Sequence, residues 1–548
     1  MTSSPVASSR SGLVRLCVSL IGRSRRGSLL ATSLAATALL TGCTQNLLGF
    51  LQETESLGYS RTCRQLRDEH NGDVTAGRYF IPEFDVVRWP GATPAKASEP
   101  TLVESIVSGK SRFVLVEARG GLGKTRMAKA IHAQTCGKLP VFTVDLNKDV
   151  AGAGDTKGGN PIIRVMARQL GIVDDVAGQQ RLDELLRSHS WVLLADAIEE
   201  IELNARPKVS IALAKLRQAY PQTAQVVVMA RPPVLVPYYG FDDVDTVVRI
   251  HLVTCDRADK VIAGLSKNET DKTNFSNFLT KYGLDLKRTL DGRCVYPFMA
   301  TYRDIHTLRK LGSEVGSGGI DTFADAHQAL VALRLAKELD RMNWGQREAL
   351  DMVDRMVRFQ RETQGTGDAT FDMVSCMKSI DPEYGWTAVD AGVTGNDPQR
   401  RRQVCEKALQ SVVFDKLGDG YAEEGRWGFF DPRTTALFRA RWLNNELARG
   451  AAGDCKPLLA HIDLLADAET ARFLAGQPLV QRCLGPMLNA LCDKDAPKAK
   501  VLEALMEGMP SEGRRFQMVE EGRAWAAENG KPACVASSLD IVAKSIGR

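Results

Sequence analysis

Metal-site spacings are missing from this sequence. Its 12 cysteines and seven histidines are scattered, and no C-x-x-C pair occurs, which argues against a zinc ribbon. No internal repeat of fixed period is visible, so neither a tetratricopeptide nor a leucine-rich array is indicated. Net charge is also missing from the body. The formal charge of +5 comes from Arg10, Arg15, Arg23, Arg25 and Arg26, in a segment (1–42) without a single acid. Without these five, the 71 basic residues fall to 66, matching the 66 acidic ones. A neutral body lacks the basic face that nucleic-acid-binding proteins usually carry, so a nucleic-acid partner is not expected. With 44% hydrophobic and 25% charged residues the composition is ordinary for a soluble globular protein, and no segment demands disorder. The 548 residues have room for several domains of about 100–200 residues each.

The acid-free N-terminus reads as a processing signal rather than as part of the fold. A basic region ends at Arg25-Arg26, an Ala/Leu-rich apolar run covers Leu29 to Leu40, and Leu40-Thr41-Gly42-Cys43 follows. This resembles the lipobox of bacterial lipoproteins, which implies cleavage before Cys43, lipidation of that cysteine and anchorage in the bacterial cell envelope. The stretch Ser24 to Leu30 also resembles the twin-arginine export signal, which implies export in a folded state. The long region before the run suggests a start downstream of Met1, and such a start leaves a cytoplasmic protein. Two rival readings stand beside these: an uncleaved anchor, although the run is short for a span of about 20 residues, and an organelle transit peptide. Outside Cys17 and Cys43, ten cysteines remain in the body. An exported protein can pair them and a cytosolic one keeps them as small buried hydrophobes, so the sequence leaves the pairing open.

The most informative stretch runs from Phe113 to Ile131. Phe113 to Glu117 reads as a buried strand, Ala118 to Lys124 as a glycine-rich loop, and a helix begins near Thr125 with apolar positions at Met127, Ala128 and Ile131. Gly120, Gly121 and Gly123, around Leu122, let consecutive N–H groups turn inward. The helix N-terminus adds partial positive charge, Lys124 reaches β- and γ-phosphates, and the Thr125 hydroxyl takes a Mg²⁺ position. The pattern G-x-x-x-x-G-K-[ST] fails only at its first position, which is Ala118. The competing reading is a glycine-rich turn with a chance Gly-Lys-Thr.

Residues 43–100 form a leading region and linker, with a strand-like piece at Tyr79 to Val87. A helix is expected from Thr101 to Lys110, with Thr101 as cap and Glu104 completing a capping box. Beyond the loop, strands are expected at Leu139 to Asp145, Trp191 to Ala195, Gln225 to Ala230 and Thr246 to Leu252, with helices from Pro161 and about Gln180 between them. Strands alternating with helices imply a parallel sheet. Trp191 to Ala195 leads into Asp196-Ala-Ile-Glu-Glu200. Asp196 can hold the Mg²⁺ shell and Glu199 or Glu200 can polarise an attacking water; the plain alternative is an acidic helix start. Arg231 follows the next strand, where sheets of this kind bind ligands, and can sense the γ-phosphate; otherwise it is a surface arginine at a strand end.

Together and in order, these motifs resemble the STAND class of P-loop ATPases, and within it the NACHT family. Gly120-Gly-Leu-Gly-Lys-Thr125, with Arg126 following, is similar to the family's Walker A, Asp196-Ala-Ile-Glu-Glu200 to its extended Walker B, and Met229-Ala-Arg-Pro232 to its sensor motif. Tyr296-Pro-Phe-Met-Ala-Thr-Tyr302 resembles the helical-domain motif whose proline packs near the adenine, which implies that role for Pro297. Phe429 to Leu443 resembles the end of the winged-helix part, with Asp431 in place of the family's phosphate-contacting histidine. The resemblance covers about residues 75–450. It implies an α/β P-loop NTPase domain with a five-stranded parallel sheet core (101–255), an all-α helical domain (256–320), a helical and winged-helix-like region (321–450) and a helical C-terminal tail (451–548). It also implies ATP/ADP and Mg²⁺ as ligands, a protein partner, homo-oligomerisation, and a role as a nucleotide-dependent switch in signalling or defence. Ala118 and Asp431 depart from the family and imply slow hydrolysis or none. The alternative is a catalytically weak, membrane-anchored scaffold mediating protein interactions. An AAA-type mechanical ATPase is a third reading, without a clear arginine finger.

Overall fold

The computed structural model describes residues 59–546 other than 76–81, 89–94, 152–159, 174, 199–200, 202–204, 232–243, 315–319, 321, 341–343, 365–369, 382–396, 418–424, 450–453, 462–463, 465–466, 478, 480–481, 493–497, 510–511 and 531–532. The signal-like segment, Cys43, Glu199 and Glu200 therefore lie outside the described residues. The chain divides into two compact units, the first of residues 1–118 and 123–251, the second of 119–122 and 252–548.

The first unit is built on one sheet. Helix α1 (Tyr59–Thr75) leads into strands β1 (Phe84–Arg88) and β2 (Ala95–Ala97), helix α2 (Glu99–Val107), β3 (Phe113–Glu117), α3 (Lys124–Thr135) and β4 (Val141–Asp145). Then come α4 (Pro161–Gln169), α5 (Val176–Ser188), β5 (Trp191–Asp196), α6 (Arg206–Ala219), β6 (Ala224–Ala230) and β7 (Thr246–Ile250). The sheet has seven strands in the order β2-β1-β7-β3-β6-β5-β4. The sheet is thus two strands larger than the expected five-stranded parallel core. Strands β7, β3, β6, β5 and β4 pair in parallel, and β1 and β2 extend the β7 edge antiparallel. β1 falls in the strand-like piece expected at Tyr79 to Val87, and as an edge-side strand it buries only part of its length: it reads Phe-Asp-Val-Val-Arg, with only Phe84 and Val87 buried. The central strands are continuous apolar runs because both faces are covered, and every residue of β6 is buried.

Local chemistry fixes the ends of these elements. The Asp245 carboxylate accepts the N–H groups of Arg112 and Phe113 at 2.7 and 2.9 Å, which pins the start of β3. Helix α4 begins as expected at Pro161, with the Asn160 side chain as cap. Helix α2 starts two residues before the expected Thr101, because Ser98 is the cap and accepts the Thr101 N–H, while Pro100 sits in the first turn where no N–H is needed. The Thr101–Glu104 capping box is not formed.

The second unit is mainly helical. It contains α7 (Cys255–Leu265), α8 (Glu269–Lys281), a hairpin of β8 (Arg288–Leu290) and β9 (Arg293–Val295), a 3₁₀ turn at Pro297–Met299, α9 (Tyr302–Glu314), α10 (Phe323–Leu339) and α11 (Gln346–Gln364). A three-stranded antiparallel sheet follows, ordered β10-β12-β11. Its strands are β10 (Thr370–Phe371), β11 (Phe414–Leu417) and β12 (Arg426–Phe429), with α12 (Met373–Ser379) and α13 (Pro398–Leu409) between the first two. Helix α14 (Pro432–Arg449) leads into a tail of short helices ending at Ile546. One of these, Glu512–Glu528, carries no apolar period that marked it in sequence. The core of the second unit holds a buried ion pair, Arg334 Nε to Asp304 Oδ1 at 2.9 Å. His327 packs among Phe298, Phe323 and Phe473 and is held neutral by burial, its pKa well below the ordinary histidine value.

The cysteines that the sequence left undecided are paired. Disulfides join Cys63 to Cys136, Cys255 to Cys294, Cys376 to Cys405 and Cys455 to Cys483. Cys534 is disulfide-bonded as well. Among the described residues no cysteine is free.

Candidate functional site

The site of the first unit lies at the carboxyl ends of its parallel strands. β3 lies between β6 and β7, whereas the next strand in sequence, β4, lies at the sheet's far edge. The strand order thus reverses beside β3, where open α/β sheets bind ligands. The Ala118 N–H leaves the strand by donating to the Ala230 carbonyl at 3.0 Å. The chain turns into α3 through Gly123, whose φ of +95° is one that a side chain rarely tolerates.

Lys124 is only 9% exposed. Its Nζ donates to the Ala118 carbonyl at 3.0 Å, so the ammonium spans the loop from last residue to first. The exposed Thr125 donates its hydroxyl to Asp196 Oδ2 at 3.3 Å. Asp196 Oδ1 accepts the Ala197 N–H at 2.8 Å, and Ala197 adopts φ +65°, a left-handed conformation uncommon for a residue with a side chain. The turn after β5 thereby aims the carboxylate at the start of α3. A hydroxyl and a carboxylate side by side are hard oxygen donors suited to Mg²⁺, which takes one or two protein ligands and fills the rest of its octahedron with water and phosphate oxygens. Among the described residues no cluster of three or more His, Cys, Asp or Glu could hold a metal ion alone, so the pair fits an ion that arrives with its ligand. Arg231 follows Ala230, which is in register with Glu117, and thus stands level with the first loop residue. Arg126 is exposed on the first turn of α3.

The loop tip, Arg119–Leu122, groups with the second unit. Leu122 is buried, a packing residue. A Cβ on Gly121 (φ +84°) would lie 2.8 Å from the Thr301 hydroxyl, and one on Gly120 would lie 2.5 Å from the Glu338 carboxylate. The Arg119 guanidinium pairs with Asp415 and lies over the Phe430 ring. Pro297 is buried in its 3₁₀ turn, and its carbonyl accepts from Arg334 Nη2 at 2.9 Å. Asp431 is matched by a cation: Arg433 Nη2 lies 2.6 Å from Oδ2, and the Arg433 N–H donates to Oδ1 at 2.9 Å. Both side chains are buried, so this carboxylate is committed to Arg433 and to the start of α14.

Beside the Thr125–Asp196 pair opens a cavity of about 410 Å³. Sequence reasoning missed its polar residues Thr62, Lys129, His132, Thr143 and Gln169. Thr125, Lys129 and His132 follow one another at helical spacing on one face of α3, which was the available signal. His132 Nδ1 lies 3.2 Å from the Thr143 hydroxyl. Burial lowers the His132 pKa to about 4, so the ring is neutral near pH 7.

Strand order, loop, lysine and the facing carboxylate decide the fold. The first unit is a P-loop NTPase fold. No protein-family model matches the chain, and no curated protein does. Among solved structures it is similar to Cdc6p from Pyrobaculum aerophilum, with a TM-score of 0.27 and 11% identity over 67% of this chain and 97% of that one. It is also similar to a Walker-type ATPase of Pyrococcus abyssi (0.32 and 11%, over 62% and 94%). A third similar structure is the Thermotoga maritima RuvB Holliday junction branch migration motor (0.29 and 14%, over 60% and 88%). The functional reading rests on the site's own geometry.

Proposed function

We propose that this chain binds ATP or ADP with Mg²⁺ and acts as a nucleotide-dependent switch of the STAND, NACHT-like type. The observation that carries the reading is the conjunction of Lys124, drawn across the loop, with the Thr125–Asp196 pair at the mouth of the same helix. In this reading Gly120, Gly121, Leu122, Gly123 and Arg126 shape and flank the phosphate cradle, Lys124 binds phosphate, and Thr125 and Asp196 hold Mg²⁺. Arg231 senses the γ-phosphate and Pro297 the base. In this reading β10–β12 and α14 serve as the winged-helix-like region, and Asp431, paired with Arg433, is a poor phosphate contact that leaves the ADP-locked state without its usual ligand. Glu199 or Glu200 positions the attacking water if turnover occurs.

A second reading is favoured by the disulfides. Cytosolic proteins rarely keep structural disulfides, so nine bonded cysteines support an oxidising compartment and, with the lipobox-like sequence, a body anchored in the cell envelope through Cys43. Little free ATP is available there, and the chain then serves as a scaffold that retains the P-loop fold with weak or no hydrolysis. The test is Mg-ATP binding by the purified protein, followed by calorimetry. The first reading expects saturable binding that Lys124→Ala abolishes and Asp196→Asn weakens in a Mg²⁺-dependent manner. Equal binding by wild type and Lys124→Ala would sink it.

A further inference from the structure

The 410 Å³ cavity has the construction of a ligand site. Its floor is apolar: Ala128 from α3, Val141 from β4, Leu194 from β5, Met229 from β6 and Leu66 from α1. Polar groups converge on its rim. Thr125 and Asp196 already bond each other. His132 faces the Thr143 hydroxyl and is held neutral by burial. Gln169 turns its amide toward the β4 backbone, its Oε1 accepting the Thr143 N–H at 3.3 Å. Lys129 is then the one cationic side chain among the described residues lining the cavity, and it is exposed. An apolar floor with a few placed polar groups is how small-molecule sites are built.

The wall that α1 supplies is unusual. Thr62 and Leu66, one helical turn apart, line the cavity. The rest of α1 is polar apart from Tyr59 and the exposed Val74, and among its described side chains only Cys63 is buried. Cys63 is the residue bonded to Cys136, the C-cap of α3. A helix with almost no apolar face of its own is thus covalently tethered along the flank of α3, where it walls a cavity.

We propose that this cavity binds a small amphipathic anion, an aromatic or aliphatic body carrying a single carboxylate or sulfonate, with the body on the apolar floor and the anionic group at Lys129. The cavity shares the Thr125–Asp196 pair at its rim with the proposed nucleotide site, while Lys129 and the apolar floor lie outside the phosphate loop. The tethered α1 keeps the cavity walled in the oxidised protein.

The test uses 8-anilinonaphthalene-1-sulfonate, a naphthalene body with one sulfonate, titrated into the oxidised full chain and followed by fluorescence. The expected result is one saturable site per chain. Lys129→Gln, at an exposed position, weakens binding about tenfold, the loss of one charge-assisted hydrogen bond. Ala128→Phe fills the cavity and removes binding, with circular dichroism confirming that both variants are folded. Lys124→Ala lies outside the lining and leaves probe binding unchanged whatever it does to ATP, so failure of this proposal is distinguishable from failure of the nucleotide reading. Undiminished probe affinity in both the Lys129→Gln and the Ala128→Phe proteins overturns the proposal.

Discussion

Replacing Cys63 and Cys136 by alanine removes the tether of α1, and the size of the effect follows from the structure. The two cysteines are 73 residues apart. When α1 alone detaches, however, the stretch set free runs only from Cys63 to the start of β1 at Phe84, and in the chain-entropy treatment a crosslink closing such a loop of about 20 residues contributes about 3 kcal/mol. Apolar burial adds little to this. The half-buried Leu66 and a buried alanine in place of Cys63 retain about 1–2 kcal/mol of apolar contact, and a polar 17-residue helix is marginal on its own in water. The loss is therefore local. Amides of α1 should exchange with solvent about 10² times faster in the double variant, since about 1.4 kcal/mol corresponds to a factor of ten. Amides of β3, β5 and β6 should keep their protection, because those strands are buried in the sheet interior. Hydrogen-exchange mass spectrometry on oxidised wild type and variant reads both. Exchange of α1 within about threefold of wild type would refute the reasoning. So would equal loss of protection in the central strands, which would make α1 part of the cooperative core.

Two more expectations follow. The His132 pKa falls from 6.5 to about 4 on folding because burial disfavours the charged ring. The unfolded chain then takes up a proton between these values that the folded chain refuses, so this contribution to stability is whole above pH 6.5 and is lost as pH falls toward 4. The ring is only half-buried and water screens it, which limits the effect to about 1–2 kcal/mol; urea midpoints should drop less between pH 7 and 4.5 in His132→Gln, and identical drops would refute it. Membrane anchorage predicts that cells fed labelled palmitate incorporate it into the wild-type protein and not into Cys43→Ala, and an unlabelled wild type would remove the anchor from the proposal.

The parallel strands were legible because each is buried on both faces and so reads as a continuous apolar run, as in Trp191 to Ala195. The phosphate loop was legible because its glycines and Lys124-Thr125 leave few other local structures. Strand β2, Ala95-Lys-Ala97, had no pattern to show, being short and exposed at the edge, and it lay in what read as a linker. Ser98, the cap of α2, lay in the same linker-like stretch. Pairing of the cysteines was illegible for a different reason. It depends on which segments fold side by side, and Cys63 meets Cys136 only because α1 lies along α3.

The order of the four disulfides along the chain has a consequence for how the molecule is made. Eight cysteines can pair in roughly a hundred ways. In these four bonds each cysteine is joined to its neighbour among the cysteines, 63 with 136, 255 with 294, 376 with 405 and 455 with 483. Among these four, no bond encloses another. A thread that reaches an oxidant from its N-terminal end, and closes each thiol with the next to appear, therefore arrives at this pattern without opening a bond once made. Rearrangement, which costs seconds to hours, drops out of the assembly route. Emergence in sequence carries the information that an isomerase would otherwise have to recover by trial, and a chain delivered already folded would forgo that advantage.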